Sequence, residues 1–337
     1  MLMKARPDAK FKIIQEMTMR DNNMLNIRWL CDIAGVSRSG YYRWLSVDAE
    51  RERRNDADER DLQLILDAYN YRGYAKGARS IYIRLLHQNP PVVMNVKKIR
   101  RLMGKYELKC PIRRANPYRR MAKAMRTNHI APNLLNREFR EHGARSVLLT
   151  DITYIPRKGG EFSYLSMIVD AYTKQILAHV TSDSLALDFV LETVNQLLER
   201  HKISFNTQTL IHSDQGCHYT SYKFINLIKD SELRQSMSRR ANCWDNAPQE
   251  SLFGHMKDEI DVTRCASHQH IVTVIDDWVD YYNNDRGQWS LALLSPNEYY
   301  EYLATGAYPL SINPPKGMEI PDSGSQLSTT GTPYGDF

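Results

Sequence analysis

No stretch of the 337-residue chain approaches 18 consecutive uncharged apolar residues, so there is no candidate for a membrane-spanning helix. The opening segment, Met1-Leu-Met-Lys-Ala-Arg-Pro7, lacks the basic-then-apolar layout of a secretory signal. Both absences predict a protein that stays in the cytoplasm and has no membrane partner. Cysteine is scarce: Cys31, Cys110, Cys217, Cys243 and Cys265 are five in number, odd and widely spaced. That argues against a disulfide framework and a structural zinc site, and fits a reducing compartment. No component of the composition is extreme, at 42% hydrophobic, 25% charged and 10% aromatic. Collagen-like, mostly disordered and coiled-coil chains are thereby excluded. The length allows two domains, each with its own core.

The net charge of +6 conceals an asymmetry. Residues 1–145 carry 31 Lys and Arg against 15 Asp and Glu, whereas residues 146–337 carry 14 against 24. A basic half joined to an acidic half suggests a polyanion-gripping module attached to something that needs carboxylates.

The basic half reads as short helices. Ile27, Leu30, Ile33 and Ala34 form a helical stripe, the Gly35–Ser39 stretch turns the chain, and Ser39 is positioned to cap a second helix carrying Tyr42, Trp44 and Leu45. This is a first helix-turn-helix candidate. Residues 48–61 are densely charged with mixed signs, a solvated helix face. A second candidate runs from Gly77–Leu86 to Asn95–Met103, with Pro90 and Pro91 between. From Lys97 to Arg126 there are twelve basic residues and one acid, Glu107. Such a run is hard to explain without phosphates. The DNA-contact candidates are Lys97, Lys98, Arg100, Arg101, Arg113, Arg114, Arg119 and Arg120.

After Arg145 the periodicity changes. Residues 146–155, 161–169 and 174–181 read as three tightly joined strands, hence an antiparallel meander. An amphipathic helix with Leu187, Val190, Leu191, Val194, Leu197 and Leu198 follows. Then come a buried strand at 209–212, a helix from Ser221, a fifth strand at 233–238, a helix opening near Asn246 and another over 267–283. That order predicts an α/β RNase-H-like layer, a mixed five-stranded sheet with flanking helices. The expected division is 1–56 for the N-terminal helices with the first helix-turn-helix, and 57–126 for the second with the basic region. A linker at 127–145, a catalytic core at 146–264, C-terminal helices at 265–305 and a disordered tail at 306–337 complete it.

Asp is a poor strand former, yet Asp151 sits mid-strand among hydrophobic residues. Asp214 lies where a buried strand runs into a glycine turn, and strand ends are where α/β sheets present reactive groups. Glu250 lies in an opening turn of the helix that follows. Three carboxylates so disposed can converge on a pair of hard cations such as Mg²⁺, which clamp the attacking and leaving oxygens of a phosphoryl displacement. Lys257, seven residues past Glu250, shares its helix face and could hold a phosphate there. His268 and His270 read as a helix-terminal surface feature and not as metal ligands.

Thr150-Asp-Ile-Thr-Tyr-Ile155, His212-Ser-Asp-Gln-Gly216 with Tyr219-Thr-Ser221, and Trp244-Asp-Asn-Ala-Pro-Gln-Glu-Ser251 with Gly254-His-Met-Lys257 resemble the OrfB-type insertion-sequence transposases. Tyr281-Tyr-Asn-Asn284, Arg286 and Ser295-Pro296 resemble that group's C-terminal motif. The resemblance spans roughly residues 25–305 and implies a retroviral-integrase-like Asp-Asp-Glu core. It gives Asp151, Asp214 and Glu250 metal-binding catalytic roles, with two Mg²⁺ ions for which Mn²⁺ substitutes. It further implies cleavage and strand transfer at the element's terminal inverted repeats, a homodimer or higher oligomer on DNA, a nucleoid-associated location and an upstream OrfA-type partner or fusion. Leu252 stands where the group often has Phe, and the His-His-Cys-Cys zinc module of retroviral integrases is missing. The alternatives are a purely hydrolytic nuclease of the same fold and a non-catalytic helix-turn-helix regulator. A tyrosine recombinase is disfavoured, because no Arg/His cluster surrounds any of the 20 Tyr.

Overall fold

A computed structural model describes residues 6–20, 24–74, 76–110, 142–158, 160–205, 207–238, 247–262, 265 and 267–318. It divides into two units, Met1–Leu66 and Asp67–Phe337.

The first unit holds α1 (Pro7–Thr18), α2 (Ile27–Ala34), α3 (Arg38–Ser46) and most of α4 (Asp48–Asn70). Phe11, Ile14, Leu30, Cys31, Ala34, Tyr41 and Trp44 form the core of α1–α3. Asn26 caps α2 by accepting from Trp29 N at 3.1 Å, and Gly35 ends it at φ 64°, a left-handed conformation that costs glycine nothing. The cap of α3 is Ser37 and not Ser39. Ser37 Oγ accepts from Gly40 N at 3.1 Å, three residues on, whereas Ser39 already lies in the first turn. Residues 48–61 fall within α4, as the charge pattern implied.

In the second unit, α5 (Ala78–Leu86) and α6 (Val96–Lys105) pack together through Ile81, Leu85, Ile99 and Leu102, all fully buried. Asn95 caps α6, accepting from Lys97 N. The sheet contains β1 (Val147–Pro156), β2 (Phe162–Asp170), β3 (Ile176–Ser182), β4 (Leu210–Ser213) and β5 (Arg234–Met237). Its order is β3-β2-β1-β4-β5, with β1–β2–β3 antiparallel and β4 and β5 parallel to β1. This is the mixed RNase-H-like sheet that the element order predicted. The third strand starts at Ile176 instead of Lys174. Asp170 accepts from Tyr172 N and Thr173 N, and Lys174 takes φ 60°, so the turn runs two residues longer.

Helices cover both faces. α7 (Asp188–His201) and α8 (Tyr222–Asp230) pack Phe189, Val190, Val194, Leu197, Phe224 and Ile228 against Leu148, Ile168 and Ile211. α9 (Ala247–Glu259) and α10 (His268–Asn284) pack Phe253, Met256, Ile271, Ile275 and Trp278 against Ile155, Leu165 and Met167. Ser295 and Glu298 form a capping box at the start of α11 (Pro296–Thr305). Beyond it, inside the stretch expected as tail, Leu310 and Ile312 pack against Ile83, Leu86 and Leu293. Among the described residues no helix is long and apolar enough to cross a membrane.

Candidate active site

Asp151 lies on β1, opposite Met167 of β2. On its other side β1 pairs in parallel with β4, with Leu149 opposite His212. That ladder ends at Leu149 and His212, two residues short of Asp151 on β1 and of Asp214, which follows the last residue of β4, Ser213. Strand alternation puts Asp151 on the same face of β1 as Ile155, which belongs to the core beneath α9 and α10.

Local hydrogen bonds hold each carboxylate. Asp151 Oδ1 accepts from Ile152 N at 2.8 Å, and Asp214 Oδ1 accepts from Gly216 N at 2.8 Å. The second contact needs Gly216, because a Cβ there would stand 2.9 Å from Asp214 Oδ1. His212, prominent in the sequence motif, is buried and structural. Its Nδ1 lies 3.0 Å from Ser236 Oγ on β5, which fastens the end of β4 to its neighbour.

Tyr219, 1% exposed, lies in the core that α7 and α8 form against Leu148, Ile168 and Ile211. Burial first, then the charges of Asp151 and Asp214, push its phenol well above the usual value, with Thr150 pulling the other way. The phenol therefore stays neutral within reach of both charges. Tyr219 stood in a quoted motif, but only the tertiary structure shows what it touches.

Glu250 is exposed in the first turns of α9. Its neighbour Gln249 is buried and donates through Nε2 to Met167 O at 3.4 Å, the residue opposite Asp151. The start of α9 thus lies over the strand pair that carries Asp151. Among the described residues no three His, Cys, Asp or Glu side chains cluster tightly enough to hold a metal ion. The charges of Asp151 and Asp214 both reach Tyr219, and among the described residues Glu250 is not drawn into a ligating set with them. Carboxylates gathered in one region of a sheet suit a hard cation, which takes oxygen donors.

Lys257 is exposed on α9, past buried Phe253 and Met256. Lys97, Arg100 and Arg101 are exposed on α6 and Lys98 is half-buried, with Ile99, Leu102 and Met103 forming the buried side of the same helix. Arg113, Arg114, Arg119 and Arg120 lie outside the described residues, as do most of the expected linker and the Trp244–Asn246 part of the motif.

Residues 56–116 match the HTH-like domain family, and residues 141–243 and 231–296 match integrase core domain families. An uncharacterized transposase-like protein of Haemophilus influenzae is 31% identical over 211 residues, covering 62% of this chain and 94% of that protein. The transposase for insertion sequence element IS904 of Lactococcus lactis is 30% identical over 231 residues, 65% of this chain and 85% of its own. The chain belongs to the insertion-sequence transposases with an integrase core. The catalytic core domain of BIV integrase aligns over 48% of this chain and 98% of its own length, at 18% identity and a TM-score of 0.36. By its family membership the transposase is a DNA-binding polynucleotidyl transferase. Its helix-turn-helix region includes α5 and α6, and its core is the five-stranded sheet.

The C-terminal motif of this transposase has a structural role. Asn283 accepts from Ile176 N at 3.0 Å and donates to Ile176 O at 2.8 Å, pinning α10 to β3. Arg286 grips Glu259 through Nε at 3.0 Å and Nη2 at 2.7 Å in a buried pair, joining α10 to the end of α9.

Proposed function

We propose that the transposase binds the terminal inverted repeats of its element through α5, α6 and the basic stretch that follows. It then cleaves and joins strands at Asp151, Asp214 and Glu250. The observation that carries this reading is the placement of Asp151 on β1 and of Asp214 at the end of its parallel neighbour β4, with the charges of both acting on the buried Tyr219 phenol. In the proposed division residues 57–126 grip DNA and residues 146–264 cut it.

The three carboxylates would hold divalent cations, Mg²⁺ with Mn²⁺ as substitute and two per site, which when bound neutralise phosphate charge and lower the pKa of an attacking oxygen. The chain's own part is positioning. Asp151 and Asp214, each tied to a backbone amide, enter the reaction with little rotamer freedom to lose. Tyr219 supplies a buried, neutral phenol that the charges of both acids reach. Lys257 contacts a phosphate of the reacting strand beside Glu250. Lys97, Lys98, Arg100 and Arg101, joined by Arg113, Arg114, Arg119 and Arg120, hold the duplex by its phosphates. Water and then a DNA 3′-hydroxyl act as nucleophiles, so no tyrosine becomes covalently attached to DNA. Two element ends must be joined, which calls for a homodimer or higher oligomer, with an OrfA-type partner separate or fused.

The test is strand transfer. Purified protein is mixed with a labelled, pre-cleaved end duplex of its element and a target plasmid, with Mg²⁺, Mn²⁺ or EDTA. A joined product that needs the metal and vanishes in Asp151→Asn supports the reading. Cleavage without joining would replace it with a hydrolytic nuclease, and metal-indifferent binding alone with a regulator.

A further inference from the structure

The connection between α4 and α5 does far more than link two helices. Arg72 adopts φ 55°, unusual for a residue with a side chain, and its guanidinium reaches three carboxylates. Nη2 lies 2.8 Å from Asp277, and Nη1 lies 2.8 Å from both Asp280 and Asp285. All three aspartates belong to α10 or its C-cap. Tyr71 donates to Asp285 at 2.9 Å and Tyr74 to Asp277 at 2.6 Å, while the Tyr74 ring stacks on Tyr281 at 4.4 Å. Lys76 is buried and donates to the carbonyls of Tyr71 and Tyr74 at 2.6 Å each, fixing the shape of the turn.

A second grip lies along α5. Ile83 and Leu86 pack on Leu293, and Gly287 passes so close that a Cβ there would overlap Ile83. The His87 ring stands 3.1 Å from Glu298 of the α11 cap, and Tyr82 and Arg79 face Trp289. α5 is therefore committed to the core, and it carries α6 on its other side. From α10 the path continues through Trp278 and Ile275 into the core shared with Met167, the residue opposite Asp151. Each step of this path, from α6 through α5 and α10 to β2, is a packed contact among the described residues.

We propose that Arg72, with Tyr74 and its aspartate partners, is a positioning clamp that fixes the DNA held by α6 at one register relative to Asp151 and Asp214. The clamp selects which phosphodiester is cut. A loose joint would leave binding intact and let neighbouring phosphodiesters compete. This rests on the proposed DNA grip and carboxylate site, and the experiment separates the two failures.

Full-length wild type, Arg72→Ala, Arg72→Lys and Tyr74→Phe are bound to a labelled end duplex with Mg²⁺, and the cut positions are mapped at nucleotide resolution. Arg72→Ala should bind with an affinity close to wild type. It should spread cuts over neighbouring positions and reduce the wild-type product about 100-fold, the cost of a displacement near 1 Å. Arg72→Lys and Tyr74→Phe, which keep part of the clamp, should fall between. A role in stability alone would lower yield and melting temperature together and leave the cut position unchanged, and that result overturns the proposal. Should Arg72→Ala fail to fold, Tyr74→Phe decides by the same criterion.

If wild type makes no cut, the carboxylate reading fails first, and a readout without catalysis judges the clamp. An iron chelate is tethered to exposed Cys217, close to Asp214, in Asp151→Asn with Cys110 and Cys243 replaced by Ser. Hydroxyl-radical scission of bound end DNA should be confined to a few nucleotides with Arg72 and broadened without it. Equal breadth in both overturns the clamp.

Discussion

Asp151 on β1 and Asp214, just past the end of the parallel strand β4, act on one buried phenol, that of Tyr219. Two like charges on adjacent strands repel, so the fold tolerates the pair at some cost in stability. Asp151→Asn and Asp214→Asn keep an oxygen to accept from Ile152 N or Gly216 N while removing one charge. Each should lose cleavage and joining by about 100–1,000-fold or more, the scale set by removing one preorganised electrostatic group. Melting temperature should stay level or rise. A clear fall in melting temperature alongside the lost activity would point to a structural role for the carboxylate.

Phosphate contacts are read from salt dependence. Lys97→Ala, Arg100→Ala and Lys257→Ala should each weaken DNA binding alike across sequences and reduce the slope of log K against log salt by about 1. Titration of end DNA and unrelated duplex at several salt concentrations measures this. An unchanged slope removes that residue from the interface.

Lys76 gives the clamp a pH signature. Burial first, with Arg84 and Arg286 assisting and Glu259 and Asp285 opposing, lowers its pKa from 10.5 to about 8. The unfolded chain keeps this proton to 10.5, so between the two values the unfolded state binds more protons and stability rises with pH. Tyr71, Tyr74 and Tyr281, all pushed above 10.0 chiefly by burial, act oppositely as pH climbs past that point. The useful window is therefore pH 8 to 10. Urea unfolding across it should show a stability increase in wild type that Lys76→Met lacks, and parallel curves would refute the assignment.

His87 and Glu298 respond on the acid side. Burial opposes both charges, but the hydrogen bond between the two side chains, their attraction and the carbonyl of Ile83 prevail. His87 is raised above 6.5 and Glu298 lowered below 4.5. The His87 contribution is complete below 6.5 and fades as pH rises through the folded value. The Glu298 contribution is complete above 4.5 and fades as pH falls through its own. Glu298→Gln retains the capping acceptor and loses the charge. Its deficit against wild type should be greatest between pH 4.5 and 6.5, at about 1–2 kcal/mol, and should shrink toward alkaline pH.

At Gly287 an added Cβ would meet Ile83 Cγ2 at 2.2 Å and the Leu293 carbonyl at 3.0 Å. Gly287→Ala should cost about 1–3 kcal/mol by overpacking. Ile83→Val in the same chain should recover part of that loss, and strict additivity in the double-mutant cycle would show that the two positions do not touch.

Much of the core was legible because its signals are local. The meander and the amphipathic helices follow from period and side-chain chemistry within a few residues. The errors were local too: Ser37 displaced Ser39 as a cap by a shift of two residues, and Lys174 stayed in the turn because the Asp170 carboxylate claims two backbone amides.

Asp151 and Asp214 announced themselves by residue type, an acid inside an apolar strand and an acid at a strand's end. That both act on the buried Tyr219 depends on parallel pairing between segments far apart in the chain, and only the folded sheet decides it. The same holds for Arg72, which reads in sequence as one more basic residue of a basic half. Its partners Asp277, Asp280 and Asp285 lie some two hundred positions away, and no periodicity links them. Sequence by itself determined the element order, the charge division and which residue types could carry phosphoryl chemistry, since propensity and composition act over short range. Tertiary structure decided which strands stand beside one another, which buried phenol the two aspartates act on and how the helix-turn-helix region is fastened to the core. Those contacts depend on strand register and helix packing between remote segments, which a linear pattern does not encode.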